Sequence, residues 1–166
     1  GDGLVTAEAA PLFESVVTTE LSAPMAKRLR QRGYRSHEVD LSLEALPGEA
    51  PFDVVALLNV IDRTAFPSRL VDRCVSLLAP GGRLVIAVPL PLSPAVYVGS
   101  LVVDPEEPLP VGAEDWESSM TLLWTRFLEP KGLRAVRVSR VPYLCRGDVR
   151  RPVQVLDDAV LVCERV

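Results

Sequence analysis

The chain has 166 residues, a formal net charge of −4, 48% hydrophobic and 24% charged residues, which is enough for one globular domain with a real core. No basic stripe of the kind that holds nucleic acid is present; the densest cluster, "KRLRQRGYR", reads as the solvated face of a helix. Cys74, Cys145 and Cys163 are odd in number, scattered and free of any CxxC, and His37 is the only histidine, so neither a disulfide framework nor a metal site is expected.

In chain order, "GDG" opens the sequence, and "ESVVTTE" (Glu14–Glu20) is rich in β-branched residues and predicts a strand. A helix follows in "SAPMAKRLRQRG", with Ser22 as N-cap, Pro24 in the first turn and Gly33 at the stop. "YRSHEVD" predicts a short strand, and the nearly continuous apolar run "FDVVALL" a buried one. "PSRLVDRCVSLL" is an amphipathic helix ended by "APGG", and "RLVIAVP" is the next strand. Leu84–Val103 is uncharged and long enough to span a bilayer, but Pro89, Pro91, Pro94 and Gly99 interrupt it. It reads as a strand and an apolar loop, with little reason for membrane contact. "DWESSMTLLWTRFLEPKG" is a helix with Trp116, Met120, Leu123, Trp124 and Phe127 along one side. "LRAVRVSRV" alternates at period two and "VLDDAVLVCERV" closes the chain, two strands with no helix between them. This order predicts an α/β doubly wound sheet, mostly parallel, with an antiparallel last strand added at its edge.

Ligands bind beyond the carboxyl ends of the strands in such sheets. Glu20, Asp40, Asn59 and Asp62 fall at those ends. Each also has a structural reading: Glu20 as a pre-helix acid, Asn59 as a turn cap, Asp62 as the ion partner of Arg63. Glu20 lies 17 residues after Gly3, near the spacing at which a carboxylate takes the ribose hydroxyls in dinucleotide folds. "GDG" alone is a weak glycine motif, and the strand that would precede Gly1 is not in the sequence. The expectation is one domain over residues 1–166, shortened at its N-terminus and poorly stable by itself.

The segments "GDGLVT", "TTELSAPM", "FDVVALLNVIDR", "LLAPGGRLVIAVPLPLSPAV", "DWE", "VPYLCRGD" and "VLDDAVLV", in that order, resemble the S-adenosylmethionine-dependent protein-histidine N-pros-methyltransferases, the methyltransferase-like nine type. The resemblance implies a class I, Rossmann-like methyltransferase fold, S-adenosylmethionine as cofactor, and His-x-His-type protein or peptide segments as substrates. Composition already argues against a metal and a nucleic-acid partner; the sequence does not give the compartment, an intracellular one is the expectation, and the resemblance leaves endomembrane and mitochondrial compartments open. By motif, Asp2 and Gly3 belong to the cofactor loop, Glu20 holds the ribose, Asn59 and Tyr143 contact the cofactor, and Asp62 faces the substrate imidazole. Tyr143 is placed in a loop after "LRAVRVSR", where simple packing is the other reading. Asp157 and Asp158 read mainly as turn acids. The chain departs from the pattern at Arg146 and across Arg151–Gln154, which bears on substrate choice. Two other functions stay open: a small-molecule methyltransferase, and a degenerate methyltransferase domain serving as a non-catalytic interaction module.

Overall fold

A computed structural model describes residues 1–48, 50–99, 101–146 and 153–166, with the backbone alone at Arg146. The chain divides into two compact units, Gly1–Glu49 and Ala50–Val166.

In the first unit, helix α1 (Leu4–Ala9) leads through a single 3-10 turn to strand β1 (Val17–Glu20), helix α2 (Ala23–Gln31) and strand β2 (Arg35–Glu38). β1 and β2 pair in parallel, Val17 opposite Arg35 and Glu20 opposite Glu38. β1 is shorter than expected and leaves out Glu14–Val16. Ser22 does occupy the N-cap of α2 in an extended conformation, but its side chain makes no capping hydrogen bond. At the other end the expectation holds. Gly33 has φ 91°, and Gly33 N–H and Tyr34 N–H donate to the Arg30 and Leu29 carbonyls, the paired bonds of a Schellman stop. Ala26 and Leu29 are the buried residues of α2.

The second unit begins with β3 (Phe52–Leu58), helix α3 (Pro67–Ser76) and β4 (Leu78–Pro89). β3 falls where the apolar run placed it, but it is not the buried strand expected: it is an edge strand of its sheet, and Leu57 alone of its residues is buried. Pro67 sits at the first position of α3, where its missing N–H costs nothing. The Glu107 carboxylate accepts from Ser68 N–H (2.8 Å) and Arg69 N–H (3.1 Å), capping that helix from a distant loop. "APGG" does not separate helix from strand: β4 starts at Leu78 and runs through Ala79–Gly82. Backbone oxygens of Phe52 and Asp53 lie 3.0 and 3.1 Å from where a Cβ at Gly82 would be, so close strand approach explains this glycine.

The segment read as an apolar loop contains a hairpin, β5 (Val96–Val98) paired antiparallel with β6 (Leu101–Val103). Helix α4 (Trp116–Leu123) is N-capped by Asp115, whose carboxylate accepts from Ser118 N–H at 2.7 Å. It continues as a wider π turn (Trp124–Leu128) and a 3-10 turn (Glu129–Lys131). Met120, Leu123 and Phe127 of the expected stripe are buried, while Trp116 and Trp124 are half-buried. β7 (Leu133–Arg146) and β8 (Val153–Arg165) finish the chain.

The sheet of this unit has the order β3-β4-β8-β7. β3 and β4 are parallel; β8 is antiparallel to both β4 and β7. The last strand is therefore antiparallel, as the sequence implies, but it lies inside the sheet, and β7 takes the edge. Burial explains the swap. The pairs Leu84–Cys163, Ile86–Leu161 and Val88–Ala159 are all fully buried, whereas Val136, Val138, Val141 and Leu144 of β7 are exposed. Among the described residues no helix is long and apolar enough to cross a membrane.

Candidate functional site

The polar centre of the second unit forms where β3 ends. Asn59 adopts φ 56°, the left-handed region that asparagine tolerates better than other side-chain-bearing residues. Its N–H donates to the Ala87 carbonyl at 2.8 Å, so the chain leaves β3 while still held to β4. The next turn closes with Arg63 N–H on the Val60 carbonyl (2.9 Å) and is anchored by Ile61, which is fully buried. Asp62 is fixed in consequence. Its carbonyl accepts from Ala95 N–H at 2.9 Å, and its side chain is 6% exposed.

Among the described residues, the carboxylate of Asp62 has one cationic neighbour, Arg63 Nε, 3.6 Å from Oδ2, and its buried Oδ1 has no hydrogen-bond partner. Burial raises the acid above the usual carboxylate range, against the opposing effect of Arg63.

Tyr143 lies in β7, opposite Leu156 of β8, and not in a loop. Regular pairing carries it to the end of β3, where its hydroxyl oxygen accepts from Asn59 Nδ2 at 2.6 Å. Burial and the charge of Asp158 raise the phenol above its ordinary value. Asn59 Oδ1 is buried without a partner.

Asp158 is the residue that sequence reasoning missed. It is not at a turn: β8 begins at Val153, and Asp158 pairs with Pro89 of β4 and Val141 of β7. It is 4% exposed, and its Oδ1 has no partner. Burial pushes this acid up, hydrogen bonding by the Asn59 amide holds it down, and the neighbouring Asp62 adds to the rise. The signal was present, since a charged side chain interrupts the apolar strand "VLDDAVLV" on the same face as Leu156 and Val160. Asp157 points the other way and is structural. Its carbonyl accepts from Leu90 N–H and Trp116 Nε1, and its carboxylate is held by the Arg140 guanidinium, which stacks 5.1 Å over Trp116.

Beside this centre is an open cleft of about 550 Å³, bordered by Asp62, Arg63, Pro91, Ser93, Tyr97 and Leu156 among others. Ser119 Oγ, buried in α4, accepts from Leu92 N–H and fixes the cleft's proline-rich wall. Arg151 and Pro152, part of the segment that departs from the resemblance, lie outside the described residues.

Asp2, Gly3 and Glu20 belong to the first unit. Gly3 has φ 82°, and a Cβ there would fall 2.7 Å from Leu29 Cδ2, so both backbone angle and space require glycine. The Asp2 carbonyl accepts from Arg32 Nε at 2.8 Å, and its carboxylate accepts from Leu4 N–H at 3.2 Å. Glu20 ends β1, accepting from Ser22 N–H at 3.0 Å and from the Gly1 amino group. Burial would raise Glu20, but these donors outweigh it and hold the acid low, in its charged form. Within this unit, an ionised carboxylate at a strand's carboxyl end and a side-chain-free Gly3 suit a ligand that brings hydroxyl donors. Among the described residues no group of acids, thiols or imidazoles is arranged to hold a metal ion.

The fold is that of the class I S-adenosylmethionine-dependent methyltransferases. The match to solved structures runs along the whole chain: DhpI bound to S-adenosylhomocysteine (TM-score 0.67, 16% identity, 99% of this chain and 72% of that one) and the TehB-like methyltransferase of Corynebacterium glutamicum (0.61, 16%, 100% and 76%). The 1,6-didemethyltoxoflavin-N1-methyltransferase of Burkholderia thailandensis, also bound to S-adenosylhomocysteine, matches with TM-score 0.59 and 21% identity over 100% of this chain and 68% of that one. The chain belongs to the DREV methyltransferase family, whose profile matches residues 1–165.

Curated relatives include the ubiquinone biosynthesis O-methyltransferases of Caulobacter sp. strain K31 (33% identical over 106 residues, 62% of this chain and 37% of the relative) and of Xylella fastidiosa strain 9a5c (31% over 93 residues, 52% and 38%). The chain thus spans well under half the length of these relatives. Their names describe O-methyltransferases, not the protein-histidine methyltransferases of the sequence resemblance.

Proposed function

We propose that this domain binds S-adenosylmethionine and transfers its methyl group to a ring nitrogen of histidine, at the pros position, in His-x-His-type protein segments. The observation that carries the reading is Asp62: a fixed, buried carboxylate beside an open cleft, with one oxygen lacking any donor. Attack by the nitrogen nearer the backbone requires its lone pair to be free, so the other nitrogen must carry the proton. Asp62 Oδ1 accepts that N–H, selects the tautomer and orients the ring. S-adenosylmethionine supplies a methyl group on a sulfonium sulfur and leaves as the neutral thioether. Imidazole is largely neutral at pH 7, so the protein's main contributions are proximity and alignment, which can supply roughly 7–11 kcal/mol. Glu20 takes the ribose hydroxyls, Asp2 and Gly3 shape the cofactor loop, and Asn59, steadied by Tyr143, meets the cofactor's polar groups.

A second reading, methyl transfer to the oxygen of a small molecule, is favoured by the names of the curated relatives, which support it more directly than they support a protein substrate. A carboxylate raised by burial serves that reaction as the base that removes a phenolic proton. One experiment separates the two. The protein is offered radiolabelled S-adenosylmethionine with a His-x-His peptide and, separately, with a catechol; mass spectrometry locates the methyl group. Methyl on the pros nitrogen, lost in Asp62→Asn at unchanged S-adenosylhomocysteine affinity, is the expected result. Methyl on the catechol oxygen with the peptide untouched overturns the first reading in favour of the second.

A further inference from the structure

Three buried acceptor oxygens around the end of β3 have no hydrogen-bond partner among the described residues: Asn59 Oδ1, Asp62 Oδ1 and Asp158 Oδ1. Both acids are more than nine-tenths buried. The Asn59 amide nitrogen donates to the Tyr143 hydroxyl and, by its nearness, holds the Asp158 acid down, which leaves the Asn59 carbonyl oxygen as the unused atom. Among the described residues, the charged or titratable groups around Asp158 are Asp62 and Arg63 from the turn after β3, Tyr143 from β7, and Asp157 on its own strand; on β4 its partner is Pro89. Arg63 is the one cation among them, and its side chain is half-exposed and 3.6 Å from the other oxygen of Asp62. Buried carboxylate oxygens without donors are costly, and a site that keeps two of them is complementary to something that brings positive charge or N–H groups.

We infer that Asp158 and Asp62 together form a two-carboxylate seat for a methyl acceptor that arrives neutral and leaves as a cation. The inference rests on the methyltransferase reading above and narrows its substrate class to nitrogen heterocycles. In the transfer, the ring nitrogen's lone pair becomes the new N–C bond, the C–S bond breaks and its electron pair stays on sulfur. The positive charge that sulfur loses appears on the ring, next to the two carboxylates. The remaining N–H proton of the ring then passes through a carboxylate to solvent. A phenolic acceptor gives a neutral product and has no use for the second carboxylate.

The test is calorimetry on the whole chain with S-adenosylhomocysteine bound, using 1,3-dimethylimidazolium, a permanent cation, and neutral 1,3-dimethylpyrazole of the same shape. The expected result is a preference for the cation of about 10- to 100-fold, the range of a charge-assisted contact, largely lost in Asp158→Asn. Asp158→Ser gives the same comparison if the Asn variant folds poorly. With the His-x-His peptide, Asp158→Asn is expected to lower kcat by a similar factor while KM and cofactor affinity change little. Wild-type protein that binds the two probes equally overturns the seat, even if the peptide is methylated. A cation preference that depends on Asp158, together with methyl transfer to a free nitrogen heterocycle but not to the His-x-His peptide, sustains the seat and overturns the histidine reading instead, and methyl transfer only to phenols overturns both. A cation preference unchanged in both Asp158 variants assigns it to Asp62 alone and removes Asp158 from the site.

Discussion

Asp62→Asn is expected to make the fold more stable at neutral pH while it removes activity. Asp62 is 6% exposed, and among the described residues one of its oxygens lacks a partner and its one cation is a half-exposed arginine at 3.6 Å. An unsatisfied buried polar group costs about 1–3 kcal/mol, more when charged, and a pair with an exposed arginine returns roughly 0–1 kcal/mol. The amide keeps the shape, loses the charge and can donate toward Asp158. The net gain is about 1–2 kcal/mol, or about 2–8 °C in Tm for a chain of this size. The pH dependence has a definite sign. The acid is raised in the folded state, so between its unfolded value and its folded value the native protein binds more protons than the unfolded chain. Stability is then highest at low pH and falls as pH rises through that window. Wild-type protein should lose this contribution as pH rises from the ordinary carboxylate range through the raised value of the folded state, and Asp62→Asn should not. Thermal melts of both proteins from pH 4.5 to 8 measure it. An Asn variant that melts lower than wild type at pH 7.5, or a wild-type pH profile that the variant reproduces, would mean that the charge is compensated and the site is not electrostatically strained.

Glu20→Ala should weaken S-adenosylhomocysteine binding by about 1.5–3 kcal/mol, the range of a charged hydrogen bond, and calorimetry with unchanged affinity would remove Glu20 from the cofactor site. Tyr143→Phe deletes the acceptor of the 2.6 Å bond from Asn59 and should cost about 0.5–1.5 kcal/mol of stability, read by denaturant unfolding. Burial pushes Cys74 up to about 12 and Cys163 up to about 11, so a thiolate-directed reagent at pH 8 should label at most Cys145 in the native protein and three thiols after denaturation. Leu161→Ala, at the fully buried centre of β8, should cost about 2–5 kcal/mol by the same unfolding measurement.

What was legible in the sequence divides along physical lines. Segments whose signals are local read correctly: β3 in position, though not in burial, by its apolar run, α3 by its helical stripe, α2 by its proline start and glycine stop. The errors came where tertiary pairing overrode local punctuation. "APGG" looks like a helix terminator, yet β3 lies so close that Gly82 is needed inside β4. Pro142 before Tyr143 looks like a loop, yet β7 is an edge strand and tolerates a proline whose missing N–H weakens no central ladder. β8 looks like a terminal edge, yet its fully buried alternation at Ala159, Leu161 and Cys163 places it inside. Of the site, Asn59, Asp62 and Tyr143 were named and two of them touch. A local reading treats the adjacent acids as a turn, and alternation alone would bury Asp157, which shares the face of Ala159, Leu161 and Cys163; it is the nearness of Asn59 and Asp62 at the end of β3 that sets Asp158 apart as the buried carboxylate.

The raised acids at the end of β3 do not by themselves decide between nitrogen and oxygen as methyl acceptor, because each reaction uses a carboxylate. They differ in when the proton leaves. An imidazole nitrogen attacks with its lone pair while the ring still carries its other proton, so the rate of the chemical step depends on the neutral fraction of the ring. That fraction rises through a pKa of about 6.5 and then levels. A phenol must lose its proton before or during attack, and its unperturbed pKa is near that of tyrosine, about 10, so its rate keeps climbing well above pH 8 unless the base has already removed the proton. Single-turnover rates at saturating cofactor, measured from pH 5.5 to 9.5, should therefore rise about tenfold per pH unit at the acid end and reach a plateau near pH 7.5 for a His-x-His substrate. In Asp158→Asn, read at sub-saturating peptide, the plateau should fall while the midpoint stays at the ionisation of the free substrate ring, which the seat does not shift. A midpoint that moves with the Asp158 substitution would mean that a protein carboxylate, not the substrate, is the titrating group, and would turn the assignment toward general-base removal of an acceptor's proton.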